Sequence, residues 1–191
     1  MAPSQKRSVL NHIARGLANV DNRSVLRSLE RAPGRQTTYA PQRANEFWLR
    51  PPKPRDYFFA IGLYLDGAER HLTKIGRWNR RRTTIRFRQG YKQAQVQVIC
   101  AGDKEIGWIQ VAEFVDRLHL RQIHLIAPFR GAGIGTRLIE DLLQRAAAQK
   151  KPVTLDVIHG NPAKSLYLRL GFKQYGQDAD KIQMIRRPTR G

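Results

Sequence analysis

The sequence contains very little cysteine and no long apolar run. Cys100 is the single cysteine among 191 residues, so no intrachain disulfide can form, and no Cys/His spacing resembles a zinc site. We therefore expect no metal, and we expect Cys100 to be a small buried apolar side chain. The longest apolar stretches are far shorter than the roughly 18 residues of a membrane span, so no membrane association is expected.

Acidic residues are also scarce. Fifteen Asp and Glu stand against 35 Lys and Arg, which gives a net charge of +20. Such an excess attracts polyanions at ordinary salt. Two interpretations stay open: a basic surface serves an acidic partner such as RNA or a ribosome, or the whole proteome is basic and the charge is incidental. The basic residues are spread along the chain and are not clustered with aromatics, as they often are in a nucleic-acid-binding face.

The length fits one domain with a tail. Residues 1–45 are rich in Lys, Arg, Ser, Pro, Gly and Gln, a composition that buries too little surface to become ordered. We predict a basic, flexible tail there and a folded domain over residues 46–191. The tail contains an apolar stripe at helical spacing, formed by Val9, Ile13, Leu17 and Val20. This stripe fits a short amphipathic helix, and a transit peptide is the alternative because the tail is rich in Arg and Ser and poor in acids. The tail lacks the continuous apolar core of a secretory signal, so we expect a cytoplasmic protein.

Apolar periodicity predicts a domain that mixes helices and strands. The predicted strands cover residues 46–49, 95–100, 105–111, 118–126, 153–158, 172–175 and 182–185. The predicted helices cover residues 57–75, 80–91, the apolar stripe from 138 to 147, and 162–170. The second of these is very basic and fits a weak helix or a loop. Gly171 is well placed to end the last one.

The strand predicted over residues 118–126 has an irregular pattern. Leu118 and Leu120 occupy one face, whereas Ile123 and Leu125 fall in the opposite phase. An extra residue near position 121 or 122 would bring all four side chains to one face. We therefore predict a one-residue β-bulge there.

A glycine-rich loop follows that strand, with the sequence Arg130-Gly131-Ala132-Gly133-Ile134-Gly135-Thr136. Glycines let backbone amides approach a bulky anion, and the start of a helix adds free N–H groups with partial positive charge. The pattern predicts a phosphate cradle. It is not a Walker loop, because no Lys-Ser/Thr pair follows the glycines. A dinucleotide-binding loop with Asp156 as the ribose-binding acid fits the spacing poorly, and a purely structural turn is the other alternative.

Two motifs resemble those of the GNAT acetyltransferases. Residues 123–135, which read Ile-His-Leu-Ile-Ala-Pro-Phe-Arg-Gly-Ala-Gly-Ile-Gly, are similar to the central strand and the Q/R-x-x-G-x-G/A pyrophosphate loop of that family. Residues 161–172, which read Asn-Pro-Ala-Lys-Ser-Leu-Tyr-Leu-Arg-Leu-Gly-Phe, are similar to its second signature. The likeness extends more weakly back to residue 46. It implies a GNAT fold of class α/β (α+β): a mixed, mostly antiparallel sheet that splays between its fourth and fifth strands, with helices on both faces.

The resemblance also implies a cofactor site. Acetyl-CoA would lie where strands 118–126 and 153–158 splay apart, with its pantetheine arm paired to the backbone near Leu125 and Ile126. The pyrophosphate would be held by the loop residues Arg130, Gly131, Ala132, Gly133, Ile134, Gly135 and Thr136. Asn161 corresponds to a residue that contacts the cofactor arm, although an Asn before Pro162 also fits a helix cap.

The resemblance implies direct attack of a neutral amine on the thioester, with the Leu125 backbone N–H as oxyanion donor. Tyr167 falls on the position of the family's general acid, and the alternative is that its ring only packs in the core. His119 lies where several members carry a base, and an imidazole suits that role. The alternative bases in the sequence are Glu113, Asp116 and His124.

The function that follows is transfer of an acetyl group from acetyl-CoA to a primary amine of a small molecule, peptide or protein. The alternative is a catalytically weak acyl-CoA-binding or nucleic-acid-associated module that uses the tail and the charge. In the family, the acceptor groove is formed mainly by the first helices, here roughly 57–91, and their sequence does not identify the amine. A homodimer is one expectation for the assembly.

Overall fold

The computed structural model describes residues 46–188, and the predicted tail lies outside them. The strands are β1 (Trp48–Arg50), β2 (Val96–Ala101), β3 (Lys104–Glu113), β4 (Leu118–Leu125), β5 (Val153–Ile158), β6 (Lys173–Gln177) and β7 (Lys181–Arg186). The α-helices are α1 (Asp56–Lys74), α2 (Arg80–Gly90), α3 (Ile134–Ala148) and α4 (Ala163–Arg169). None of these four helices is long and apolar enough to cross a membrane.

One seven-stranded sheet organises the described residues, in the order β1-β2-β3-β4-β5-β7-β6. β4 and β5 run parallel, and the other neighbouring strands pair antiparallel. The parallel pair requires a crossover connection, which the glycine loop and α3 provide. The mixed, mostly antiparallel sheet predicted from the sequence is confirmed.

Helices cover both faces of the sheet. On one face, α3 and α4 pack on a large aliphatic core that includes Leu118, Leu155 and Met184. On the other face, α1 and α2 pack on a smaller aromatic cluster around Phe87 and Trp108. α3 contributes buried side chains at a spacing that keeps one stripe inward, namely Ile134, Leu138, Ile139, Leu142 and Ala146. Cys100 is buried in β2, as predicted.

The predicted bulge in β4 is confirmed. Gln110 pairs with Gln122, but the next residue of β3 pairs with Leu120, so Arg121 is the extra residue. Beyond the bulge, the strand returns Ile123 and Leu125 to the face where Leu118 and Leu120 are buried. The hydrophobic phase of the sequence therefore located a real backbone irregularity.

The start of α1 is fixed by charged side chains, and the sequence pattern did not predict these contacts. Asp56 is 4% exposed and accepts a 2.6 Å hydrogen bond from the guanidinium of Arg50 and another from the Lys53 backbone N–H. Arg50 also donates to Glu105 on β3. Because of these bonds, the pKa of the Asp56 carboxyl lies below its usual range. The network joins β1, α1 and β3, which fixes the position of α1 over the sheet.

The second predicted helix is a helix and not a loop. Asn79 caps it, since its side-chain oxygen accepts a 2.8 Å hydrogen bond from the Arg82 N–H. Phe87 and Thr83 are buried beneath it. Tertiary packing of these two side chains compensates for a very basic and weakly apolar sequence.

Candidate active site

The sheet opens between β4 and β5. These strands pair at only three positions, from Leu118 opposite Val153 to Leu120 opposite Leu155. Beyond Leu120, β4 continues to pair with β3, and β5 continues to pair with β7. The second halves of β4 and β5 therefore diverge, as the resemblance implies.

The end of β4 directs backbone groups into this opening. The Ile126 N–H donates to the Ile106 carbonyl oxygen at 2.9 Å, and hydrogen-bonded and non-hydrogen-bonded pairs alternate along an antiparallel ladder. Gly107 and Leu125 thus form a non-hydrogen-bonded pair. The N–H and C=O of Leu125 point away from β3, towards the diverging strand. The same alternation directs the backbone of Ile123 into the opening, a position that the sequence motifs do not mark.

Gly107 permits the close approach of β3 and β4 at this point. A Cβ added to it would lie 2.3 Å from the carbonyl oxygen of His124 and 2.8 Å from the Leu125 side chain. No larger residue fits there without moving the backbone that presents Leu125. The signal in the sequence is a lone glycine inside a strand, which often marks a close backbone approach.

The glycine loop leaves backbone amides free at the same end of β4. Gly131 and Gly133 have φ angles of 77° and 81°, which other residues adopt only with strain. Gly133 is the N-cap of α3, and no side chain among residues 46–188 caps the helix. The amides of its first turn therefore have no intrahelical partner and lie at the positive end of the helix dipole. A Cβ at Gly131 or Gly133 would meet nothing within 4 Å, so the space before the loop suits a bulky anion.

Arg130 connects this loop to β4 and α1. Its Nε donates to the Leu125 carbonyl oxygen at 2.7 Å, and its terminal nitrogen lies 3.3 Å from the carboxylate of Asp66. Asp66 also pairs with Arg70 one helical turn away. The carbonyl oxygen of Leu125 keeps one lone pair for another donor, and its N–H is not involved in the contact. Sequence reasoning did not predict a role for Asp66, because its partner lies 64 residues along the chain.

Tyr167 lies on α4 beside the loop helix. It is 7% exposed, and its ring lies 5.9 Å from that of Phe172 in an edge-on arrangement. The neighbouring Leu166 approaches the backbone of Gly135, at 3.8 Å from the place a Cβ would take. Burial raises the pKa of the Tyr167 hydroxyl to about 12. The ring is thus a core side chain, and its phenol keeps its proton at neutral pH.

Asn161 caps the helix that carries Tyr167. Its side-chain oxygen accepts a 2.9 Å hydrogen bond from the Ala163 N–H. In this structure Asn161 therefore acts as a helix cap, which was one of its two predicted roles. Contact with a cofactor arm stays a prediction.

His119 faces the side of the sheet that α1 and α2 cover. Its Nδ1 lies 2.9 Å from the hydroxyl of Thr154, its neighbour on β5. Burial lowers the pKa of His119, and the nearby Asp156 opposes this effect. The ring is therefore neutral at pH 7. His119 precedes Leu125 by six strand residues, about 17–20 Å at the usual rise per residue, so proton transfer from an amine near Leu125 requires bridging waters.

The alternative bases occupy less suitable positions. Glu113 and Asp116 lie at the far end of β3 and in the following turn, where they pair with Lys151 and Arg117. His124 stacks on Trp108 with ring centroids 5.0 Å apart. Burial lowers its pKa to about 4, so it remains neutral and its ring serves the aromatic cluster.

That cluster encloses a cavity of about 20 Å³ between α1, α2 and the sheet. Tyr64, Phe87, Tyr91 and Trp108 line it, together with polar side chains that include Gln122. The volume fits one water molecule. The indole N–H of Trp108 has no hydrogen-bond partner among the described residues, so a water there would satisfy it.

Comparison with known proteins gives one family and a common fold. The family described as "Acetyltransferase (GNAT) domain" matches residues 92–174. This segment extends from the residues before β2 into β6 and includes the opening, the glycine loop and Tyr167. A search of curated proteins found no match.

Solved structures of similar fold include several acetyltransferases. A PaiA N-acetyltransferase from Thermoplasma acidophilum, in complex with coenzyme A, is 16% identical, with a TM-score of 0.62 over 74% of this chain and 99% of that one. PH1933 from Pyrococcus horikoshii is 22% identical, with a TM-score of 0.61 over 76% and 100%. The ribosomal-protein-S18-alanine N-acetyltransferase from Escherichia coli is 17% identical, with a TM-score of 0.56 over 76% and 97%. The family match identifies residues 92–174 as a GNAT acetyltransferase domain, and these solved structures share the fold of the described residues.

Proposed function

We propose that the protein is an acetyl-CoA-dependent N-acetyltransferase that acts on a primary amine. The observation that carries the proposal is the meeting of two features at the end of β4. The sheet opens there beyond Leu120, and the uncapped start of α3 lies a few residues further along the chain. Coenzyme A combines a long polar arm with a pyrophosphate. The opening of the sheet suits the arm, and the start of α3 suits the pyrophosphate. The coenzyme A complex of the PaiA enzyme, which shares the fold, agrees with this assignment.

The residues that would hold acetyl-CoA are those of the opening and the loop. Backbone groups of Leu125 and Ile126 would pair with the pantetheine arm, and Asn161 would contact it from the far side. Amides of the residues from Gly131 to Thr136 would bind the pyrophosphate, with Arg130 beside them. When bound, acetyl-CoA supplies the activated acyl group.

One backbone amide and two side chains would supply the charge stabilisation and the proton transfers. The Leu125 N–H would stabilise negative charge on the acyl oxygen. The Tyr167 hydroxyl holds a proton at neutral pH and would deliver it to the departing sulfur. Neutral His119 would accept the proton of the ammonium through water. Free amine then attacks directly, and no acyl group is carried by the protein.

Two measurements test the proposal. Isothermal titration of the purified protein with acetyl-CoA should show micromolar binding, and release of free thiol should accelerate on adding amines from a panel of small molecules and peptides. Thiol release that stays at the rate of hydrolysis with every amine, despite binding, would favour the acyl-CoA-binding module. Absence of binding would exclude the enzyme.

Replacing His119 by alanine tests its role as base. We expect kcat/KM to fall about tenfold, less than the roughly 10²–10⁴-fold typical of a general base, because the proton reaches His119 through water. In the native protein kcat/KM should fall as the pH drops below about 6.5, through the lowered pKa of His119, and this limb should vanish in the variant. The matched control is Thr154→Val, which removes the contact to Nδ1 and keeps the imidazole. A native acidic limb retained in His119→Ala would show that another group is the base.

A further inference from the structure

One surface of the domain carries a concentrated excess of basic residues. From Arg70 to Gly102 the sequence has nine Arg and Lys residues and no Asp or Glu. This segment runs from the end of α1 through the linker and α2, and it also includes β2. Its exposed cations include Lys74, Arg77, Arg80, Arg81, Arg82, Arg86 and Arg88, and we call these seven the basic face. Basic residues are spread along the whole chain, but the structure places five of these seven cations on α2.

Few carboxylates of the described residues neutralise the basic face. Arg77 and Arg86 both pair with one carboxylate, that of Asp180 in the turn between β6 and β7. Within residues 46–188, no carboxylate lies within ion-pair distance of Arg80, Arg81, Arg82 or Arg88. Most of the positive charge of α2 is therefore available to an external anion.

The position of three of these arginines opposes helix stability. Arg80, Arg81 and Arg82 occupy the first turn of α2, and that turn has no acidic residue. The positive end of a helix dipole favours Asp and Glu there and disfavours cations. The fold gives these three arginines no stabilising role in α2, and an anionic ligand at this position would offset the unfavourable placement.

We propose that the basic face binds the phosphodiester backbone of a nucleic acid. Seven of the nine basic residues in the segment are arginines, and the planar guanidinium group pairs with phosphate through two parallel hydrogen bonds. The charge of the whole chain, +20, adds a field that attracts an extended polyanion. Recognition rests on phosphates, so RNA and DNA single strands of one sequence bind alike. This function is separate from acetyl transfer and does not depend on it.

Asp180 occupies part of this surface in the free protein. Its pairs with Arg77 and Arg86 are about half exposed on both sides, and exposed pairs of this kind are weak. Each phosphodiester carries one negative charge, as the carboxylate does, but a strand presents several of them to the neighbouring arginines and releases counterions on binding, so it takes the place of the carboxylate. Removing the charge in Asp180→Asn is therefore expected to strengthen nucleic-acid binding about twofold.

Fluorescence anisotropy with labelled single-stranded RNA and DNA of about 20 nucleotides tests the inference. In Arg81→Glu/Arg82→Glu we expect Kd to rise about 10- to 30-fold, because each lost phosphate contact removes one contribution from released counterions. The matched control is Arg145→Glu/Lys173→Glu, which changes the net charge equally at exposed positions outside the basic face, and its Kd should change less than about twofold. The melting temperature of the α2 variant should not fall, since glutamate suits a helix start.

Three results would overturn the inference. They are no binding by the native protein at about 100 mM salt, equal losses in the two double variants, and competition by polyglutamate that equals RNA at the same concentration of charges. The last would identify an acidic protein as the partner. Acetyl-CoA titration of the same preparations should give unchanged affinity in both double variants, so failure of nucleic-acid binding and failure of the proposed enzyme are read separately.

Discussion

Replacing Gly133 and Gly135 together by glutamate should abolish acetyl-CoA binding. Two carboxylates at the start of α3 repel a pyrophosphate and fill the space before the amides. The structure accepts both side chains sterically, because a Cβ at Gly133 meets nothing within 4 Å and one at Gly135 makes an ordinary 3.8 Å contact. We expect affinity to fall at least about 100-fold, which corresponds to about 2.7 kcal/mol, as measured by isothermal titration.

The control for this variant introduces the same backbone strain at two glycines outside the loop. Gly133 has a positive φ, and Gly135 is helical. Gly102 in the β2–β3 turn also has a positive φ, and Gly62 on α1 is also helical. A Cβ at Gly102 or Gly62 would meet nothing within 4 Å, so Gly102→Glu/Gly62→Glu is the control variant. Glutamate at a positive φ costs about 1–2 kcal/mol in either protein, so the melting temperatures of the two variants should fall together. Normal acetyl-CoA affinity in Gly133→Glu/Gly135→Glu would show that the loop is only a structural turn.

Local patterns predicted the parts of the site that lie close together in the sequence. The phase change between Leu120 and Ile123 predicted the bulge, and the alternating glycines predicted the uncapped start of α3. The boundaries of β5 were also predicted, since its apolar run is bounded by Pro152 and His159. In each case the signal depends on neighbouring residues, whose backbone geometry is set by sterics and burial over a few positions.

Contacts between distant segments could not be predicted in this way. The bond from Arg130 to Asp66 joins residues 64 positions apart, and Arg50 reaches Glu105 across 55 positions. Charged residues on an exposed helix usually face water, so the composition of α1 gives no reason to single out Asp66. The strand register decides these contacts, and it depends on the packing of the whole sheet.

The same limit applies to the acceptor side. The segment 57–91 has a clear helical stripe only in its first part, and its arginines have no periodic pattern. The structure shows that α2 orients Thr83 and Phe87 inward and leaves the cations at the surface. The order of charges along the sequence therefore does not reveal how closely the fold groups these arginines on one surface.

Removing the hydroxyl of Tyr167 should reduce turnover more than any other single change in the opening. A general acid contributes about 10²–10⁴-fold, and we expect kcat of Tyr167→Phe to fall about 10²- to 10³-fold, with acetyl-CoA affinity within about twofold of native. The fold should survive, because the ring and its contact with Phe172 are retained. Steady-state thiol release at saturating amine measures kcat, and titration measures affinity.

The pH profile separates the role of the hydroxyl from that of the ring. Burial raises the pKa of Tyr167 to about 12, so the acid form persists and kcat should stay level up to about pH 10, where an exposed tyrosine would lose its proton. Tyr175→Phe is the matched control, since that side chain is 58% exposed on β6 and its hydroxyl should be dispensable. If Tyr167→Phe turns over as fast as Tyr175→Phe, the phenol donates no proton and Tyr167 only packs in the core.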